Sequence, residues 1–153
     1  MLESVLGTNE AIQIGMVVPD VEKAKRDWAA FLGVEVPPTV DAGDYAVTKT
    51  VYMGKPAPEA SCQMAFFNVK PIQIELIEPN AAPSTWRDQL EKCGGSIHHY
   101  GYSVKNIYEA IGKMEAIGFR MTQFGFYGSG NGAYAYFDCT EKLGCYIELL
   151  TDF

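Results

Sequence analysis

The sequence predicts an α+β protein in which two βαβββ modules form a curved mixed sheet around a central cleft. Three observations support this: a strand-and-helix pattern occurs twice, both copies end on the same kind of strand, and a short linker separates them. The pattern begins at Gln13 and returns at His99, 86 residues later. A repeated supersecondary unit indicates modules that pack together to bury a shared core.

Each copy opens with a strand that runs into a helix. In the first copy Asp20 is the expected N-cap and Gly33 ends the helix. In the second copy Asn106 is the cap, Glu109 follows it as in a capping box, and Gly118 ends the helix. Helical spacing predicts the buried residues as Val21, Ala24, Trp28, Phe31 and Leu32 in the first helix, and Ile107, Ala110, Ile111, Met114 and Ile117 in the second.

Three strands are expected after each helix, which completes the βαβββ pattern. Both copies end on an apolar run that contains one glutamate, Glu75 in the first and Glu148 in the second. Equivalent residues at the ends of the two copies are separated by fewer positions in the sequence than those at the beginnings. The first module therefore carries an insertion, in part at residues 54–59. The inner strands are predicted at 45–52 and 62–69 in the first copy, and at 120–126 and 133–138 in the second.

We expect one domain over residues 1–153. Module one covers 11–79, a linker with a helix from Ser84 covers 80–95, and module two covers 96–153. Packing is the expected role of the linker helix, whose apolar side carries Trp86, Leu90 and Cys93.

Composition excludes several classes of protein. The chain has 48% hydrophobic and 20% charged residues, as folded globular domains do. The net charge of -7 argues against nucleic acid as a partner, and no apolar stretch approaches the roughly 20 residues that span a bilayer. The four cysteines are widely spaced, which argues against a zinc ribbon and a disulfide framework. The N-terminus lacks the basic flank of a signal peptide, so the expected location is the cytoplasm.

The repeat also predicts a metal site. Gln13 and His99 occupy equivalent positions, as do Glu75 and Glu148, so facing modules would bring all four to a pseudo-twofold axis. One imidazole, two carboxylates and an amide oxygen suit one divalent metal ion, such as Zn, Ni, Co, Mn or Mg. Strand alternation predicts that His98 faces the other side of the sheet, with a structural role.

A glycine-containing segment between two predicted strands indicates a mobile hairpin loop, since phosphate-binding loops join a strand to a helix. Aromatic residues near this loop could cover an apolar part of the substrate. The residues expected to contact substrate here are Phe124, Tyr127 and Tyr134.

These residues resemble the vicinal oxygen chelate superfamily, which includes glyoxalase I, methylmalonyl-CoA epimerase, extradiol dioxygenases and bleomycin resistance proteins. The resemblance extends from about Ile12 to Leu150 and implies the glyoxalase-like fold. It is closest to the epimerase branch, whose metal ligands fall on Gln13, Glu75, His99 and Glu148. The segments that carry it are residues 13–20, 74–79, 95–101 and 144–149.

The resemblance implies a divalent-metal-dependent isomerase or epimerase, in which Glu148 removes a proton next to the carbonyl of a small-molecule carbonyl or thioester substrate. The resemblance leaves open whether the chain forms a homodimer. At a position where some relatives have a carboxylate, this chain has Gln63, which we expect to contact substrate. Since its amide cannot take up a proton, the second acid stays unassigned.

Two alternative functions remain open. Epimerases usually have histidine at the position of Gln13, whereas eukaryotic-type glyoxalase I has glutamine, so a lactoylglutathione lyase is one alternative. The other is a non-catalytic protein that binds a small molecule, as resistance proteins do.

Overall fold

Both halves of the chain contribute to one mixed sheet in the computed structural model, which describes residues 3–153. The first half forms β1 (Gln13–Val17), α1 (Val21–Leu32), β2 (Val40–Asp41), α2 (Tyr45–Thr48), β3 (Val51–Tyr52), β4 (Lys55–Pro56), β5 (Cys62–Phe67) and β6 (Gln73–Pro79). Then come α3 (Thr85–Cys93), β7 (Ser96–Ser103), α4 (Ile107–Ala116), β8 (Arg120–Phe126), β9 (Gly132–Asp138), α5 (Thr140–Leu143) and β10 (Tyr146–Asp152).

The ten strands lie in the order β2-β5-β6-β1-β7-β10-β9-β8-β3-β4. The antiparallel pair of β1 and β7 is at the centre, and each of these strands pairs in parallel with the last strand of its own half, β6 or β10. Outward from the centre, β6, β5 and β2 on one side therefore match β10, β9 and β8 on the other. The predicted fold class is confirmed.

The predicted strand over residues 45–52 is wrong. Asp44 accepts a hydrogen bond from the amide of Ala46 and begins the short helix α2, which ends at Lys49 in a left-handed conformation with φ 46°. The two-residue strand β2 takes the place in the first half that β8 has in the second. Strand β3 instead pairs with β8, where Val51 lies opposite Phe124. The insertion therefore extends the sheet of the other half.

Helices α1 and α4 pack against the two halves of the sheet. Val21 and Ala29 of α1 lie in one core with strands β5 and β6, and Ile107 and Met114 of α4 lie in a second core with β9 and β10. The caps are as predicted: Asp20 accepts from the amide of Lys23, Gly33 ends α1, and Asn106 accepts from two amides at the start of α4. The carboxylate of Glu109 pairs with Lys113 rather than closing a capping box.

Three residues expected on packed faces are exposed. Phe31 is 81% exposed because the buried face of α1 is centred on Val21, Lys25 and Ala29. Ile117 is 46% exposed since it lies just beyond the end of α4. Cys93, at the end of α3, is also exposed.

Helix α3 lies beside the central strands and places one large side chain between the two halves. Ser84 caps it by accepting from the amide of Arg87. Trp86 is buried and donates from Nε1 to the hydroxyl of Tyr136 at 3.2 Å. No helix within residues 3–153 is long and apolar enough to cross a membrane.

Truncating either leucine next to the repeated glutamates tests the symmetric core. Leu76 and Leu149 are both 0% exposed. We expect Leu76→Ala and Leu149→Ala each to lower the free energy of unfolding by about 2–5 kcal/mol because each leaves a cavity. Urea denaturation measures this, with the exposed Phe31→Ala as control. A loss no larger than that of the control would contradict this description of the core.

Candidate functional site

The four predicted metal ligands lie together on the four central strands. Gln13 is on β1, Glu75 on β6, His99 on β7 and Glu148 on β10, and none is more than 6% exposed. Their polar atoms converge on Nε2 of His99. It lies 3.0 Å from Gln13 Oε1, 3.4 Å from Glu75 Oε2 and 2.9 Å from Glu148 Oε2.

Two glycines make room for this cluster, and they too are related by the repeat. On the central strand pair His99 lies opposite Gly15, and Gln13 lies opposite Gly101. A Cβ on Gly15 would fall 1.9 Å from Cε1 of His99, and one on Gly101 would fall 3.1 Å from Oε1 of Gln13. Each half therefore supplies a glycine that admits the site residue of the other half. The sequence signal for this is the glycine two positions after Gln13 and after His99.

A β-bulge in β7 overturns the expectation for His98. Gly15 pairs with His99 and Met16 pairs with Ile97, so His98 is left without a partner in the register. The bulge interrupts the alternation of side chains. As a result the adjacent histidines are both buried, and their Nδ1 atoms lie 3.0 Å apart.

The cluster shifts the pKa of its members. Burial disfavours the charged imidazole of His99, but the negative charges of Glu148 and Glu75 outweigh burial and raise its pKa to about 9. Burial raises the pKa of Glu75, and Glu148 adds to this while His99 opposes it. The pKa of His98 is held well below its usual value by burial and by the charge of His99.

The donor set fits a divalent cation. Oε2 of Glu75 and Oε2 of Glu148 are buried and share one counterpart, Nε2 of His99, and a second negative charge there is costly unless a cation compensates it. Glu75, His99 and Glu148 each offer one ligand atom within 4.8 Å of the others. The amide of Gln13 donates from Nε2 to Gln73, which turns its oxygen toward the cluster.

A cavity of about 680 Å³ lies against the cluster. Gln13, Glu75 and Glu148 form part of its wall, and its lining within residues 3–153 contains no lysine or arginine. Its aromatic lining consists of Phe66, Trp86, Phe126, Tyr127, Tyr134 and Tyr136. The cavity thus combines an apolar interior with a compact group of acidic and amide oxygens.

Of the residues expected to contact substrate, Tyr127 and Tyr134 line this cavity, whereas Gln63 and Phe124 do not. Gln63 is exposed because the residues on either side of it in β5 point inward. Phe124 packs against Phe126 and Tyr108 outside the cavity. The sequence analysis missed Asp41, a carboxylate of the cavity wall on the two-residue strand β2, since no strand was predicted there.

The predicted hairpin loop joins β8 to β9 and lies over the cavity. A Cβ on Gly128 would fall 2.7 Å from the carbonyl oxygen of Ala42, and one on Gly43 would fall 2.6 Å from the Cα of Gly128. The backbones of the two halves therefore touch at this point. The loop and the segment after β2 both form part of the wall of the cavity.

Substitution of the two glycines tests the geometry of the cluster. In Gly15→Ala the new methyl group must displace the imidazole of His99 from Glu148, so we expect the pKa of His99 to fall from about 9 toward its ordinary value. Gly101→Ala is the matched variant and should have the smaller effect, since its nearest contacts are longer. Titration of the imidazole NMR signals measures both, and an unchanged His99 pKa in Gly15→Ala would contradict the geometry.

Comparisons with known proteins agree with this architecture. A family model described as the Glyoxalase/Bleomycin resistance protein/Dioxygenase superfamily matches residues 12–137. An ethylmalonyl-CoA/methylmalonyl-CoA epimerase of Cereibacter sphaeroides is 28% identical over 144 residues, which cover 89% of this chain and 92% of that protein.

Solved structures share the fold at low sequence identity. A methylmalonyl-CoA epimerase from Mycobacterium tuberculosis superposes with a TM-score of 0.65 at 18% identity, covering 100% of this chain and 93% of the other. A variant of the Streptomyces coelicolor methylmalonyl-CoA epimerase, in complex with 2-nitronate-propionyl-CoA, superposes with a TM-score of 0.64 at 17% identity and 94% coverage of both chains.

Proposed function

Because this chain belongs to the glyoxalase/bleomycin resistance protein/dioxygenase superfamily, we propose that it is a divalent-metal-dependent isomerase that acts as methylmalonyl-CoA epimerase does. It would remove and return a proton next to the carbonyl of a small-molecule thioester. The observation that carries this proposal is the convergence of three side-chain oxygens on one imidazole nitrogen at the wall of a cavity.

Gln13, Glu75, His99 and Glu148 would hold one ion of Zn, Ni, Co, Mn or Mg. Two carboxylates would balance the charge of the ion and so remove the cost of burying them together. The bound ion supplies Lewis acidity, which stabilises the negative charge that develops on the carbonyl oxygen when the α-proton leaves.

Proton transfer falls to the carboxylates of this chain. Glu148 is the proposed base, since it lines the cavity and lies beside His99. Epimerisation needs a second group that returns a proton on the opposite face. We assign this role to Asp41, which lines the cavity from the first half of the chain and accepts from the amide of Gly43 at 2.8 Å. Asp41 thus fills the role that the sequence left unassigned.

The volume and lining of the cavity fit a substrate with a short acyl end. Its volume of about 680 Å³ is within the range of about 300–1,000 Å³ typical of small-molecule sites. Among the described residues its lining offers no lysine or arginine, so compensation for an acyl carboxylate would come from the ion. The remainder of a CoA ester would extend through the opening.

A glyoxalase-like lyase is the second candidate, and Gln13 favours it. The amide oxygen of Gln13 lies 3.0 Å from His99 Nε2, where epimerases usually have an imidazole. Turnover of a hemithioacetal, assayed beside epimerisation of methylmalonyl-CoA, distinguishes these two reactions. A purified protein that takes up no divalent metal and binds ligand equally well in chelator would overturn both in favour of the non-catalytic alternative.

Exchange of the substrate α-proton with deuterium tests the assignment of Glu148 and Asp41. We expect Glu148→Gln to lower exchange and epimerisation by about 10²–10⁴-fold because the base is lost. Asp41→Asn should abolish epimerisation to a similar extent while Glu148 still exchanges the proton of one epimer. Mass spectrometry of each epimer measures this, and the exposed Gln63→Ala is the control. Equal exchange of both epimers in Asp41→Asn would remove Asp41 from the mechanism.

Metal binding is expected to release a proton. With a pKa of about 9, His99 is protonated at neutral pH in the metal-free protein, and a cation can bind Nε2 only after that proton leaves. We therefore expect release of about one proton per ion at neutral pH, and an affinity that rises with pH until about 9. Calorimetry in buffers of different ionisation enthalpy measures the release. A binding enthalpy independent of the buffer would contradict the role of His99 as a ligand.

A further inference from the structure

We infer that His98 is a positioning residue, which holds the imidazole of His99 with its Nε2 lone pair toward the metal position. The inference rests on the proposed function, since it assigns a role toward the same ion. The sequence predicts a structural role for His98, and no step of the proposed mechanism uses its side chain.

The rings of His98 and His99 share one proton. The Nδ1 atoms of His98 and His99 lie 3.0 Å apart, and the rings are nearly perpendicular at 89°. At this distance one nitrogen donates a proton and the other accepts it. If Nε2 of His99 binds a cation it carries no proton, so the neutral ring has its proton on Nδ1. His99 is then the donor and His98 the acceptor.

The ring of His98 is itself held in place by its neighbours. Its ring stacks on Tyr146 at 4.6 Å and 16°, and meets the edge of Tyr136 at 5.2 Å. The side chain is 1% exposed, and besides His99 the ring has the backbone of Thr85 beside it as a polar neighbour. Because Nδ1 faces His99, a ring proton directed to the backbone of Thr85 is on Nε2, and Nδ1 stays unprotonated as an acceptor.

The β-bulge in β7 brings the two histidine rings into contact. In a regular strand the side chains of neighbouring residues point to opposite faces. Because the register shifts between His99 and Ile97, His98 turns to the same side as His99. Hydrogen bonding of a ligand histidine through its second nitrogen fixes its tautomer and orientation, and loss of such a partner typically lowers metal affinity about 10–100-fold.

The tautomers can be measured directly, since the chain contains two histidines. Long-range ¹H–¹⁵N NMR of histidine-labelled, metal-free protein, after removal of any affinity tag, reports which ring nitrogens carry protons. We expect His98 to carry its proton on Nε2, with an unprotonated Nδ1, and His99 to carry a proton on Nδ1. A proton on Nδ1 of His98 would overturn the inference.

Two variants separate hydrogen bonding from packing. His98→Phe keeps an aromatic ring against Tyr146 but has no acceptor, so we expect Co²⁺ to bind about 10–100-fold more weakly by calorimetry. His98→Asn places an acceptor oxygen near the position of Nδ1 and should restore most of the affinity. Equal affinity of His98→Phe and the unmodified protein, or equal loss in both variants, would overturn the inference.

The outcomes for His98 and for the proposed function are distinguishable. If the unmodified protein binds no Co²⁺, the proposed function fails, while the NMR measurement on metal-free protein still decides whether His98 accepts from His99. If His98→Phe does not fold, as judged by circular dichroism, the tautomer measurement and the Co²⁺ affinity of His98→Asn test the role of His98 instead.

Discussion

The pairing of β1 with β7 is the constraint on which the rest of the structure depends. It joins the two halves antiparallel, and its register sets Gln13 opposite Gly101 and His99 opposite Gly15. Each half leaves a gap in its own backbone surface that the other half fills. The parallel partners β6 and β10 then add one glutamate each from the flanks. A shift of this register by one residue would turn the site residues of one half to the face opposite those of the other half.

The buried charge follows from this arrangement. Two carboxylates and an imidazole are taken out of water beside one another, and a small domain sustains such a group when its members compensate each other or bind a cation. The two cores contain the strand neighbours of the glutamates, Ile74 and Leu76 in one half and Ile147 and Leu149 in the other. Strand alternation therefore places the polar cluster on the face of the sheet opposite both cores.

The sequence predicted the fold class because the repeat is present in the residue pattern itself. The same alignment identified the four residues that the structure brings together, since equivalent positions in related modules meet at the axis between them. Local conformation set the limit of prediction. Residues 45–52 alternate like a strand but begin with a capped helical turn, and the contact of His98 with His99 depends on a bulge that periodicity does not show.

The ends of the sheet have a consequence for the behaviour of the chain in solution. A sheet of ten strands would normally present two long rows of unpaired backbone groups, to which another chain could add a strand. Here the outermost strands β2 and β4 have two residues each, and β4 consists of Lys55 and Pro56. A proline has no amide proton to donate, and a lysine at an edge resists the approach of an apolar strand. These two outermost strands therefore offer another chain little edge to pair with.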